Sequence, residues 1–315
     1  MRYERTMQAL IQNYANANSS ESLYMTECIN SMDGCKAVLW GDQNVSVFDI
    51  FDSINPTTFF THYSLITNDL VKYLSGSNIE CIFNVTEAQQ EHIDQLDTML
   101  LDNKIKCPFI FTNHPRQFNA LIQRKTKLLS VMHGADIFLP KQALNIPDYK
   151  LEAGIVTDYK PDGGRLSSLS AKYATHHIIS SDPELSEHVD LISPTTHMYA
   201  LYPKYQKTII TQSKRYLPQC LFDSILYGNE TYYLTRNEGQ QEKTSEVLKA
   251  VFRTKESLVR DEDGIQKGGA NFGNVRSRLI EGHTCVSRVK RIMARLKCNA
   301  SSHALDKLLE EYSHD

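Results

Sequence analysis

Apolar residues in this chain gather into short, nearly unbroken runs separated by longer stretches with helical spacing. The opening segment, 3–18, mixes apolar and polar positions at helical intervals and predicts a first helix. CKAVLWG (35–41) then predicts a strand, VFDIFDSI (47–54) a helical turn pattern and TTFFTHYS (57–64) a second strand. NDLVKYLSG (68–76) predicts a helix with Asn68 as cap and Gly76 at its end. Strands over 79–86, 107–113 and 127–139 follow, with helices over 87–103 and 116–125 between them.

Runs that stay apolar instead of alternating belong to a parallel sheet covered by helices on both faces. Residues 1–145 therefore read as one Rossmann-like domain, and Pro140 and Pro147 punctuate a crossover. A second βα series occupies 146–315. Its predicted strands are EAGIVT (152–157), THHIISS (175–181), VDLIS (189–193), KTIIT (207–211) and TYYLT (231–235). Its predicted helices cover 165–174, 196–205, the segment after 212, 242–252, 274–298 and 302–312, the last two forming a basic C-terminal tail. The expected fold class is α/β, two Rossmann-like domains facing a cleft, with C-terminal helices. Ligands of such sheets bind outside the carboxyl ends of the strands.

Composition narrows the picture. The 315 residues carry 34 Lys+Arg against 37 Asp+Glu, so no global nucleic-acid footprint appears, although basic residues outnumber acidic ones between Lys243 and Lys297. No apolar run reaches the roughly 20 residues of a membrane span, and the N-terminus lacks the apolar block of a signal peptide. Seven cysteines without a CxxC read as reduced core residues of a cytoplasmic protein, which leaves the sequon at Asn84 without meaning. G-x-G-x-x-G and G-x-x-x-x-G-K-[ST] are both missing, which disfavours nicotinamide enzymes and P-loop kinases.

VDLISPTTHMYALYPKYQKTIITQSKRYLPQCLFDSILYGNETYYL resembles the donor-binding domain of GT-B-fold glycosyltransferases. GHTCVSRVKRIM (282–293) resembles the His-Thr-x-x-x-Arg helix of the family-1-like, spore-maturation-type group from bacteria and phage, and 48–74 is similar to that group's acceptor domain. The resemblance implies transfer of a sugar from a nucleotide-sugar donor, UDP-sugars included, to a hydroxyl acceptor. That acceptor would be a surface glycan, a lipid-linked sugar or a modified base in bacteriophage DNA. It also implies a leaving diphosphate held by helix N-termini and Arg/Lys side chains, with no metal and no cofactor beyond the donor. Asp261-Glu262-Asp263 reads as a solvated turn rather than a metal site. Many donor helices of this fold hold the ribose with a Glu; residues 212–228 contain none, and Asp223 is their one acid.

Candidate residues follow from strand ends and turns. On the donor side they are Gly163, Gly164 and Arg165, then Ser213, Lys214 and Arg215 before a helix, then Arg278, His283 and Arg288 on the basic tail. On the acceptor side they are His62, Tyr63, Asn113 and His114. His133, Asp136 and Glu87 are the candidate catalytic acids and bases, with His133 and Asp136 placed at the end of the last strand of the first domain. Two other readings share these features: a nucleotide-sugar epimerase of the same fold, and a non-catalytic two-domain binding protein.

Overall fold

The computed structural model describes residues 6–13, 21–41, 45–86, 88–113, 126–131, 133–138, 150–158, 165–193, 195–211, 217–228, 230–234, 238–252, 258, 272–298 and 301–313. Contacts divide the chain into two compact units. The first combines the N-terminal strand and Glu21–Met132 with Cys285–Asp315; the second is built on His133–Thr284.

The first unit holds a six-stranded parallel sheet in the order β2-β1-β3-β4-β5-β6. Its strands are β1 (Met7–Gln12), β2 (Cys35–Trp40), β3 (Thr58–His62), β4 (Glu80–Asn84), β5 (Ile110–Thr112) and β6 (Leu128–Ser130). β1 corrects the expected opening helix. Met7, Leu10 and Ile11 fit helical spacing as well, but Ala9 pairs with Ala37 of β2 and with Thr58 of β3. Hydrogen bonding on both sides overrides local propensity here. The strand expected over 127–139 is short, because Ser130 is its last paired residue.

Helices α1 (Glu21–Asn30), α2 (Val47–Ile54), α3 (Asn68–Ser75) and α4 (Gln90–Asp102) belong to this unit. Ser46 caps α2 by accepting from the Phe48 N–H, and Asn55 closes it in the left-handed conformation, φ 46°. The cap of α3 is Thr67, whose hydroxyl accepts from Leu70; Asn68 is the first helical residue, and Gly76 ends the helix as expected. Phe51 of α2 meets Phe59 of β3 edge-on with ring centres 5.1 Å apart, inside a core that also takes in Phe83, Leu96 and Ile110.

The second unit holds a five-stranded parallel sheet, order β11-β10-β7-β8-β9. Its strands are β7 (Leu151–Thr157), β8 (His176–Ser180), β9 (Leu191–Ile192), β10 (Tyr205–Thr211) and β11 (Glu230–Tyr233). Its helices are α5 (Arg165–Ser170), α6 (Thr195–Met198), α7 (Gln219–Tyr227), α8 (Glu238–Phe252) and α9 (Phe272–Gly282). The helix expected over 196–205 shrinks to α6 and a 3₁₀ turn at Tyr202–Lys204, since Tyr205 already starts β10. That tyrosine lies over Gly154, where a Cβ would come within 2.6 Å of its ring. All nine residues of α7 are buried.

The tail expected as one basic helix over 274–298 is two. α9 stops at Gly282, and α10 (Cys285–Arg295) begins after a bridge between Ala135 and Thr284. α10 and α11 (Ser301–Ser313) go with the first unit, whereas the basic helices were expected in a domain spanning 146–315. The reason is packing: α10 presents buried Val286, Val289, Ile292 and Met293, and it packs on α1.

Candidate functional site

Polar residues collect where the strands of the first sheet end. Within this unit β3 ends in His62, β4 ends in Asn84, and Asn113 follows β5. Their side chains are buried and tied together. The Asn84 amide is oriented by its neighbours: Oδ1 accepts from the Thr86 N–H at 2.9 Å, so Nδ2 points at Glu21 Oε2, 2.8 Å away. Asn113 Nδ2 donates to the same oxygen at 3.4 Å, and its N–H donates to Thr86 Oγ1 at 2.8 Å. Glu21, the first residue of α1, is 2% exposed and thus sits as a buried carboxylate facing two amides.

His62 belongs to the same edge. Its Nε2 lies 3.2 Å from the Thr86 carbonyl, and its Nδ1 meets the Ser64 hydroxyl at 2.7 Å and the Ser64 N–H at 3.4 Å. A carbonyl can only accept and a backbone N–H can only donate, so the proton sits on Nε2. Both ring nitrogens are thereby engaged, which makes His62 a holder of geometry. Thr61 Oγ1 donates to Gln12 Oε1 at 2.6 Å and extends the band to β1.

Tyr63 leads outward from this edge. Its ring centre is 4.6 Å from that of His62 and 5.6 Å from that of His92 on α4. The Tyr63–His92 pair lines an open groove of about 1020 Å³ along α3 and α4, floored by Ile66, Val71, Leu96 and Met99.

In the second unit, residues 133–138 are pinned in place. Ala135 N–H donates to His283 O at 2.9 Å, and Asp136 N–H donates to Asp223 Oδ1 at 2.8 Å. Tyr227 Oη donates to Asp136 O at 2.6 Å, and Asp136 Oδ1 accepts from the Phe138 N–H at 3.0 Å. Gly134 is required by this approach, because a Cβ there would stand 2.5 Å from Thr284 O. Burial first, and then the facing Asp136, hold the Asp223 carboxyl well above the usual aspartate range, while the Asp136 N–H and Gln219 pull it back. The one acid of the donor-like helix is thus a buried anchor of the neighbouring backbone.

The predicted site residues separate accordingly. His62, Tyr63 and Asn113 come together at the edge of the first sheet, whereas His133 and Asp136 fall in the second unit and not at the end of a first-domain strand. Asp136 is 2% exposed and its carboxylate accepts from the Phe138 N–H. Arg278 is exposed on α9 and paired with Glu281 at 2.7 Å. The His283 ring meets Phe252 edge-on at 5.7 Å. Arg288 is 3% exposed inside the first unit, where burial and then Arg291 lower its pKa to about 10. Glu87, His114, Gly163, Gly164, Ser213, Lys214 and Arg215 lie outside the described residues, as does the Arg165 side chain.

Glu21, Asn84 and Thr86 were not anticipated. Asn84 carries the same signal that exposed His62 and Asn113, a polar residue closing an apolar strand; Glu21 carries none. Among the described residues, no group of three or more His, Cys, Asp or Glu is placed to hold a metal ion, and no helix is long and apolar enough to cross a membrane.

No family model matches the chain, and neither does any curated protein sequence. Solved structures do. The fold is similar to that of a sucrose-phosphate synthase from Thermosynechococcus elongatus, with TM-score 0.55 and 11% identity over 96% of this chain and 98% of that one. It is also similar to an α-glucosyltransferase solved with UDP-glucose and DNA containing an abasic site, with TM-score 0.52 and 9% identity over 95% and 94% of the two chains. The architecture, two α/β units each on a parallel sheet, matches that of GT-B glycosyltransferase structures.

Proposed function

We propose that the protein is a glycosyltransferase that moves a sugar from a nucleotide-sugar donor to a hydroxyl acceptor. The observation that carries the reading is the fold match along nearly the whole chain, in both parallel sheets, to enzymes of that architecture. The kinship with the spore-maturation-type group is part of the proposal and rests on GHTCVSRVKRIM.

In this reading the acceptor oxygen bonds to the anomeric carbon as the bond from that carbon to the diphosphate breaks. The nucleoside diphosphate leaves with the electron pair, and the acceptor proton passes to a protein base. The second unit holds the nucleotide, with Gly163, Gly164, Arg165, Ser213, Lys214 and Arg215 around the diphosphate and Arg278 and His283 beside them; Arg288, buried in the first unit, is left out of this donor set. No metal takes part. The first unit holds the acceptor at the edge formed by His62, Tyr63, Asn113 and His114, with Glu21 and Asn84 fixing that edge from behind. Proton removal is assigned to His133 on the pinned 133–138 segment, where Asp136 keeps the turn in shape, and Glu87 is the second candidate.

A thermal-shift screen against nucleoside diphosphates and nucleotide sugars tests this directly. Ligand at about 100 times its Kd adds about 2.7 kcal/mol to the folded state. Stabilisation by a nucleotide sugar is expected, and silence across the panel overturns the reading. Lys214→Ala with Arg215→Ala is expected to weaken donor binding on the order of tenfold or more, as loss of charge-assisted phosphate bonds does. Unchanged donor affinity in that variant removes the phosphate assignment. Interconversion of nucleotide sugars without an acceptor would instead mark an epimerase.

A further inference from the structure

We infer that the groove along α3 and α4 is a binding subsite for a neutral glycan chain, which makes a glycan the acceptor class. The inference rests on the glycosyltransferase reading above for its link to catalysis, but the binding itself stands on the groove.

Sugar rings present two kinds of surface, C–H faces that pack on apolar or aromatic groups and hydroxyl edges that both donate and accept. The groove offers both. Its floor is aliphatic, and one end is walled by the Tyr63 ring against His92. Its rim carries Asn68 and Gln95, whose amides can donate and accept, Thr98, whose hydroxyl donates to Asp94 O at 2.9 Å and can still accept, and the carboxylates of Asp94 and Asp102. At about 1020 Å³ it stands at the top of the roughly 300–1,000 Å³ range of small-molecule clefts, so more than one ring fits.

Charge separates a glycan from the other acceptor in view. Nucleic acid binds through Lys and Arg set along its phosphates. The groove has one such cation, Lys72, and it is already paired with Asp69 at 3.4 Å. Two carboxylates on the same rim repel a polyanion, whereas sugar hydroxyls can donate to them. Position supports the link to catalysis: Tyr63, which walls the groove, follows His62 in the chain and touches its ring, so the groove abuts the polar edge of the same sheet.

The test uses the full chain without any donor. Saturation-transfer NMR and calorimetry are run with short linear neutral oligosaccharides built on glucose, N-acetylglucosamine or mannose, and separately with a double-stranded oligonucleotide. Asn68→Ala with Gln95→Ala, and Thr98→Arg, alter exposed helix positions and spare the core. At least one oligosaccharide is expected to bind, about tenfold more weakly to each variant, a change of about 1.4 kcal/mol. The shift in Tm caused by a nucleoside diphosphate should stay unchanged in both variants. The inference is overturned if no oligosaccharide binds, if the variants bind as the parent does, or if the oligonucleotide binds and that binding is lost in the Asn68→Ala, Gln95→Ala variant. A chain that still binds nucleotide sugars in those cases keeps the glycosyltransferase reading. One that binds oligosaccharide without ever binding nucleotide keeps the subsite and loses the reading.

Discussion

Two buried carboxylates, one in each unit, solve the same problem differently. Glu21 meets two side-chain amides, from Asn84 and Asn113, brought to it by neighbouring strand ends. Asp223 meets one backbone N–H, from Asp136, and the Gln219 side chain, but also the carboxylate of Asp136. The first arrangement is hydrogen-bond complementarity at the polar edge of the first sheet. The second sets like groups together and holds Asp223 towards its protonated form, so it serves as an anchor for the 133–138 segment. A buried acid is therefore not by itself a sign of chemistry; its partners decide.

The largest effect is expected from Glu21→Ala. It leaves two buried amides without their acceptor and should lower stability by about 2–3 kcal/mol in urea denaturation. Glu21→Gln keeps an acceptor oxygen and should cost clearly less. Equal losses in the two variants would mean that the carboxylate packs and does not organise the edge.

Gly134→Ala comes next on the side of the second unit. The new Cβ meets Thr284 O at 2.5 Å, and relief of that overlap should cost about 1–3 kcal/mol. A silent variant would show that the segment is not pinned there.

The smallest effect, and the most diagnostic, is the pH dependence removed by Asp223→Asn. The folded-state pKa is raised, so the contribution of Asp223 is present in full below the ordinary value of 3.8 and is eroded as pH rises towards the elevated one. Asparagine keeps the oxygen that accepts from Asp136 and cannot ionise. The stability of the variant relative to the parent should therefore grow from about pH 4 upward and converge below it. Parallel curves for the two proteins would break the contrast between the two acids.

Much of the fold was legible. Both sheets were visible as unbroken apolar runs such as IECIFN and KTIIT, because burial on both faces leaves no polar alternation. β1 was misread because six residues with apolar spacing of three and four satisfy either period, and only its two flanking strands decide. At the site, His62 and Asn113 were legible as polar ends of apolar strands. Glu21 was not, since its partners lie 63 and 92 residues away and no local pattern joins them. The unit to which Arg288 belongs was equally hidden, because its helix packs on one 250 or more residues earlier, α1, whose own pattern is weakly amphipathic.

That last contact has a consequence for synthesis. Residues His133–Thr284 emerge from the ribosome as one continuous stretch, while the first unit waits for α10 to cover α1. Until then the face of α1 bearing Tyr24, Met25 and Cys28 lacks part of its cover, and these residues are 3%, 0% and 0% exposed in the finished fold. The unit that starts first is completed last. A chain that ends before Cys285 therefore leaves the apolar face of α1 without the helix that packs on it.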